Sequence, residues 1–268
     1  MKDAVVFSGY FPSERSLFVL QLFIDLWSET FPDCDFFVGL NRPVTPAACA
    51  LLDDCRSRLR LEYRITDERR VTDSDNSGYQ TALELLRATN TEHRIVWFMH
   101  SKSSSHCERS WINPSLRHLV DIVWGFLRRR QKVTEAMMAD AGCGTWSFEL
   151  AKDRPGASFT SENPDDVLGR LFSFERPNLH RYFCVATFYA MKGFLLHRFL
   201  HGCDAAFFEK NLVTELGADR YFFEQLFPNV AWRQGFHPRF DRWFGGPDFL
   251  EPHDSLDSDW KAFASHER

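Results

Sequence analysis

The chain is 268 residues long, close to the upper size of a single domain, and 44% of it is hydrophobic, enough to build a sizeable core. A net charge of −5 without any lysine or arginine stripe gives no field that would gather nucleic acid, and no apolar run reaches the roughly 20 residues of a membrane span. The seven cysteines are odd in number and form no CxxC pair, so they read as reduced, buried thiols and not as a disulfide frame or zinc site.

An apolar run from Ala4 to Ser8 predicts a first strand followed by a turn, with Ser8-Gly9-Tyr10 as its loop, and it begins without the apolar stretch of a signal peptide, which points to the cytoplasm. Ser13 predicts the cap of a helix from about Glu14 to Glu29, which Pro32-Asp33 breaks. Cys34 to Leu40 predicts a second strand, closed by Asn41-Arg42-Pro43. Thr45-Pro46 opens a second helix to about Cys55, and Leu59 to Ile65 alternates as a third strand. A helix from Gly78 to Ala88 precedes the apolar strand Ile95 to Met99. Strands alternating with helices at this spacing predict an α/β fold with a mostly parallel central sheet and helices on both faces.

Farther on, Leu116 to Ala141 predicts one long helix with a pause at Gly125, and Gly144 to Ala151 a strand. Asp153 to Pro164 is a loop suited to a lid, and Phe183 to Thr187 a strand leading into a helix from Ala190 to His201. Ala218 to Phe227 predicts a helix and Val230 to Trp232 a short strand. No repeat or linker divides the chain, so residues 1–244 are expected to form one domain and the polar residues 245–268 a tail. The basic cluster Arg128-Arg129-Arg130 with Lys132 reads either as a solvated helix end or as a surface for an anionic partner or membrane.

The stretch from Asp73 to His106 carries the most chemistry. An apolar strand there delivers His100-Ser101-Lys102 into a run of serines, at the sheet edge where open α/β folds bind ligands. Two cationic side chains at that edge suit a phosphate-bearing ligand: Lys102 as a point charge, His100 as a hydrogen-bond donor or second charge. The alternative is a histidine that merely closes the strand beside a solvated lysine. Asp73 and Asp75, ahead of the Gly78 helix, are ordinary helix-start carboxylates, or else they bind sugar hydroxyls or hold Mg2+ or Mn2+. Glu224, in the aromatic context Tyr221-Phe222-Phe223, is the first candidate for a general base, and Glu149 is held in reserve. Alternation in that strand would place Trp146, Phe148 and Leu150 on one face and Ser147 and Glu149 on the other. His197 and His201 have the spacing of a two-histidine metal site but lack an HExxH glutamate, so they read as a structural pair. Serine-hydrolase elbow, dinucleotide-binding and phosphate-loop motifs are all missing from the sequence.

In their order, these features resemble GT-A-fold glycosyltransferases, in particular bacterial polysaccharide-synthesis transferases of the rhamnan-synthesis type. The matching pieces are Asn76-Ser77-Gly78, read as a loop, then His100-Ser101-Lys102, Cys184 to Phe188, and Tyr221 to Glu224 followed by Gly235, across roughly residues 4 to 236. The resemblance implies transfer of a sugar from a nucleotide-sugar donor to a polysaccharide or lipid-linked glycan acceptor in surface or capsular polysaccharide synthesis. It favours inversion and places the protein in the cytoplasm at the inner face of the membrane. It further implies that Lys102 and His100 steady the departing diphosphate and that Glu224 activates the acceptor hydroxyl. Ser8, Gly9, Tyr10, Asn41, Arg42, Asn76, Gly78 and Thr187 would position the substrates. The metal-using branch of the family carries Asp-x-Asp where His100-Ser101-Lys102 stands. A metal-dependent transferase using Asp73 and Asp75, and a non-catalytic carbohydrate-binding protein on the same fold, are the alternative expectations.

Overall fold

The structure is a computed structural model and describes residues 1–70, 75–101, 123–152, 182–184, 187–202 and 222–243. In chain order its elements are β1 (Ala4–Tyr10), α1 (Leu17–Thr30), β2 (Asp35–Asn41), α2 (Pro46–Cys55), β3 (Arg60–Ile65), α3 (Asn76–Thr89), β4 (Ile95–His100), α4 (Arg130–Ala139), β5 (Cys143–Lys152), β6 (Tyr182–Cys184), β7 (Tyr189–Lys192), α5 (Gly193–Gly202), α6 (Phe222–Arg233) and β8 (His237–Trp243). Residues 123–128 are also helical and lead into α4.

The strands form one sheet in the order β3-β2-β1-β4-β7-β5-β6, with β8 also paired to β5. The first four, β3 through β4, run parallel, and β7 lies antiparallel to β4. From β1 the chain steps outward to β2 and β3, then returns to place β4 on the other side of β1. The order therefore reverses between β1 and β4, and in open α/β sheets the crevice outside the carboxyl ends at such a reversal is the usual ligand site. The architecture is Rossmann-like, as the alternation of elements predicts.

Both faces of the sheet are covered, so its central strands are apolar on both sides, as parallel strands under helices require. Ala4, Val6, Val96 and Phe98 pack under α3, α5 and α6. Val5, Phe7, Trp97 and Met99 pack under α1, α2, residues 123–128 and α4. Much of the aromatic content goes into this second layer, where Phe7 meets Phe23 and Trp27 edge-on at ring distances of 4.8 and 5.0 Å.

Several boundaries differ from the sequence reading. Ser8, Gly9 and Tyr10 are the last residues of β1, not a loop, and Asn41 is the last residue of β2. Asn76-Ser77-Gly78 form the first turn of α3 instead of a loop before it. The long helix pauses at Arg129, not Gly125. Tyr189 to Lys192 is a strand, although Ala190 to Lys192 was expected to open the helix: all four residues are buried, so a fully covered strand shows no alternation to distinguish it from a helix start. Gly193 marks the true junction, because a Cβ there would strike the backbone carbonyl of His93. Thr187 is not part of a strand with Phe183, since β6 ends at Cys184 and Thr187 has φ 54°. Val230 to Trp232 is helical; α6 runs through Pro228, held by Leu226, Phe227, Val230 and Ala231 on the core. The strand β8 was not foreseen. The lid candidate 153–164 and the tail 245–268 lie outside the described residues.

At the amino end of the sheet, Arg130 and Arg94 converge on Asp3. Arg130 donates to Asp3 Oδ2 from Nη2 at 2.8 Å and to Asp33 Oδ1 from Nη1 at 2.6 Å, and Arg94 Nε donates to Asp3 Oδ1 at 2.8 Å. Arg129 pairs with Asp241 and donates to the Gly125 carbonyl at 3.2 Å. Two of the four basic residues read as a surface cluster are therefore held in ion pairs inside the fold.

Candidate functional site

The site is assembled at the carboxyl ends of β1, β2 and β4 by the first turn of α3. The helix can approach because two glycines face each other. A Cβ on Gly39 would run into the Gly78 carbonyl, and one on Gly78 would run into Ser8 Oγ and lie 2.8 Å from Asn41 Nδ2. Close contact brings polar side chains into the interior, and Asn76, Ser77, Gln80 and Thr81 are all buried.

A chain of hydrogen bonds crosses this junction. Asn41 Nδ2 donates to Ser8 Oγ at 3.1 Å, and Ser8 Oγ donates to the Asp75 carbonyl at 2.8 Å. The Asp75 carboxylate reaches the other way, with Oδ2 at 2.5 Å from His100 Nδ1. The ring of His100 is nearly closed off, its side chain 8% exposed against 35% for Asp75, and it packs on Phe188 at 4.9 Å. The Ser101 N–H donates to the Ser8 carbonyl at 3.0 Å, and the Tyr10 N–H to Ser101 Oγ at 2.7 Å, so the strand ends are stitched together past the regular ladder. Among the buried side-chain atoms here, His100 Nε2 and Asn41 Oδ1 have no hydrogen-bond partner among the described residues.

Tyr79 extends the site toward α6. Its hydroxyl donates to the Thr187 carbonyl at 3.3 Å, and its ring lies 5.1 Å from that of Phe223. Burial pushes its phenol well above the ordinary range, and the charges of Asp75 and Glu224 push it the same way. Thr187, a β-branched residue at positive φ, is an uncommon backbone conformation of the kind that clusters at functional sites.

The predicted residues are thus sorted. Ser8, Asn41, Asp75, Asn76, Gly78 and His100 come together, with Tyr10 and Thr187 at the margin. Ser8 is fully buried, and its hydroxyl both donates and accepts within the protein, so it holds the site together rather than meeting a ligand. Gly9 faces Phe7, Phe11 and Leu40 on the opposite side of the sheet. Arg42 is turned to the loop after β3, where it donates to the Thr66 carbonyl at 3.0 Å and pairs with Glu68 at 3.4 Å. Glu224 stands half-buried in the first turn of α6. Glu149 lies in β5 with its Cα opposite Arg242. Lys102 and Asp73 lie outside the described residues.

Sequence reasoning missed Ser101 and Tyr79 as parts of the site. The signal for Ser101 was its place directly after a strand-ending histidine; Tyr79 carried none, being one more aromatic on an apolar helix face. His197 and His201 do lie side by side on α5, with ring centroids 4.2 Å apart and the planes tilted by 47°. Among the described residues no three of His, Cys, Asp and Glu gather as a metal cage, and no described helix is long and apolar enough to cross a membrane. No protein-family model matches the chain, and no curated protein matches its sequence.

Proposed function

We propose that this protein is a glycosyltransferase that moves a sugar from a nucleotide-sugar donor to a polysaccharide or lipid-linked glycan acceptor, on the cytoplasmic side of the membrane during surface polysaccharide synthesis. The observation that carries the proposal is the Asp75–His100 pair at the switch point of the sheet. It is a buried, oriented imidazole with an unpartnered ring nitrogen, at the edge where an α/β sheet receives its ligand.

When the bond between the sugar and the diphosphate breaks, negative charge gathers on the leaving oxygen and must be met by a positioned cation. Lys102, one residue beyond Ser101 at the end of β4, fills that role in this proposal. The acceptor hydroxyl must lose a proton as it attacks, and Glu224, in the first turn of α6, is the carboxylate suited to take it. Attack from the side opposite the diphosphate inverts the anomeric centre.

In the metal-dependent version Asp73 and Asp75 would hold the ion, and the carboxylate of Asp75 would have to be shared with His100. A nucleotide-release assay over a panel of nucleotide sugars tests the proposal. Turnover with at least one donor is expected, falling roughly 100-fold in Lys102→Ala and in Glu224→Ala and surviving EDTA. Full turnover in Lys102→Ala removes the leaving-group role, and loss of turnover with EDTA restores the metal reading. Calorimetry that finds glycans bound but no nucleotide identifies a carbohydrate-binding protein instead.

A further inference from the structure

The hydrogen-bond chain through Asp75 has a direction, and the direction fixes what the site needs. A backbone carbonyl only accepts, so at the Asp75 carbonyl Ser8 must be the donor. With its one hydrogen committed there, the Ser8 hydroxyl must accept from its other neighbour. Asn41 therefore presents its NH2 group to Ser8, and its Oδ1 is left facing away as an acceptor. On the other arm, an ionised carboxylate also only accepts. In the uncharged form of the ring, the His100 hydrogen is drawn to Nδ1, and Nε2 is left with a lone pair. Both ends of the network are thus acceptors, both are buried, and neither has a donor among the described residues.

An unmet buried acceptor costs on the order of 1–3 kcal/mol, so two in one connected network mark a place completed by something else. We infer that His100 Nε2 and Asn41 Oδ1 bind hydroxyl groups of the ligand, on its ribose or on its sugar ring, and do not bind its diphosphate. A phosphate oxygen brings no hydrogen to either atom; a hydroxyl does. His100 is accordingly a specificity residue that reads a hydroxyl, and Asp75 is the positioning residue that sets its tautomer. The inference rests on the transferase proposal only for the identity of the ligand, since the polarity of the two atoms follows from the protein alone.

Calorimetry at pH 8 with two sets of probes separates the sources. The first set is the common ribonucleoside diphosphates with their 2′- and 3′-deoxy forms. The second is the nucleotide sugars and free monosaccharides with their deoxy-sugar counterparts. In the wild type, removal of the bound hydroxyl in one set is expected to weaken binding on the order of 10- to 100-fold. That discrimination should shrink to within about threefold in His100→Leu or Asn41→Leu. The set that discriminates identifies the moiety. In parallel, 15N spectra of the His100 ring should show the hydrogen on Nδ1 in the wild type and lose that preference in Asp75→Asn. Equal binding of hydroxyl and deoxy probes in both sets, or a ring hydrogen on Nε2, overturns the inference while leaving the transferase proposal standing. Failure of every nucleotide, nucleotide sugar and monosaccharide to bind overturns both.

Discussion

Asp75 occupies the N-cap of α3, yet its side chain makes no capping bond; its carboxylate instead stands 2.5 Å from Nδ1 of His100 at the end of β4. An aspartate in this position ordinarily accepts from the second or third N–H of its own helix, worth about 1 kcal/mol. Here the helix forgoes that bond and is anchored by Ser8 on the Asp75 carbonyl. A double-mutant cycle exposes the difference. Asp75→Ala alone should cost roughly 1–3 kcal/mol in urea unfolding, because it strands the buried Nδ1. In a His100→Phe background the same change should cost less by roughly 1 kcal/mol or more, since the bond to Nδ1 is already gone. Equal costs in the two backgrounds would show that the carboxylate does not act through His100.

The approach of α3 to the sheet depends on its facing glycines, and they should differ in how they fail. A methyl on Gly39 meets backbone, the Gly78 carbonyl, which cannot step aside. Gly39→Ala is therefore expected to cost about 3 kcal/mol or to abolish folding. Gly78→Ala meets the Ser8 hydroxyl and the Asn41 amide, so it should fold with a smaller loss while breaking the hydrogen-bond chain. Gly202, at the end of α5 with nothing within 4 Å of its would-be Cβ, is the control; Gly202→Ala should be neutral or stabilising by up to about 1 kcal/mol. Thermal melts of the three variants would rank them, and a Gly39→Ala protein as stable as Gly202→Ala would refute the packing argument.

The amino-terminal half was legible because its periods were clean: β1, β2 and β4 are apolar runs and β3 alternates, with turn residues and helices of ordinary length between them. The same clarity placed His100 at a sheet edge. What the sequence could not carry was orientation. Asp75 and His100 are 25 positions apart, and only the inward step of α3 over Gly39 joins them. Without that contact His100 resembled a free cation for a phosphate, although its partner decides which nitrogen bears the hydrogen. Beyond β5 the signals conflicted. Tyr189 to Lys192 is buried on both sides and lacks any alternation, and Pro228 suggested a stop that tertiary packing of α6 overrides. The basic run at Arg128 misled in a similar way, because charge patterning cannot foresee that Arg130 turns inward to Asp3.

The described cysteines should be sharply unequal in reactivity. Burial pushes the thiol of Cys143 up to about 12, and those of Cys34 and Cys184 higher still, so all three lack the thiolate that reacts with electrophiles. Cys49 is only half-buried. Brief alkylation of native protein at pH 8, mapped by mass spectrometry, should label Cys49 well before Cys34, Cys143 or Cys184, and the latter only as the protein unfolds. Labelling of Cys34 as fast as Cys49 would contradict the closed layer between α1 and the sheet.

Acid should weaken the fold through the ion cluster at the amino end of the sheet. The hydrogen bond from Arg130 is the main cause that holds the Asp33 carboxyl below its ordinary value of 3.8, against an opposing effect of burial. The folded state thus binds a proton less readily than the unfolded chain, and stability rises with pH through the interval between the two values. The contribution is fully present above about pH 4 and is lost as pH falls through the lower, folded value. Asp33→Asn should therefore be less stable than the wild type at neutral pH, with the two urea midpoints converging below pH 4. Arg130→Leu acts differently, because it strips one cation from Asp3, whose side chain has no solvent exposure. Arg94 remains bound to both Asp3 oxygens at 2.8 and 3.0 Å, which sets the expected loss near the low end for a broken buried pair, about 3 kcal/mol. If Asp33→Asn instead runs parallel to the wild type from pH 7 to pH 3, the carboxyl of Asp33 is not held down by Arg130, and the clasp between the end of α1 and the start of α4 contributes nothing to acid sensitivity.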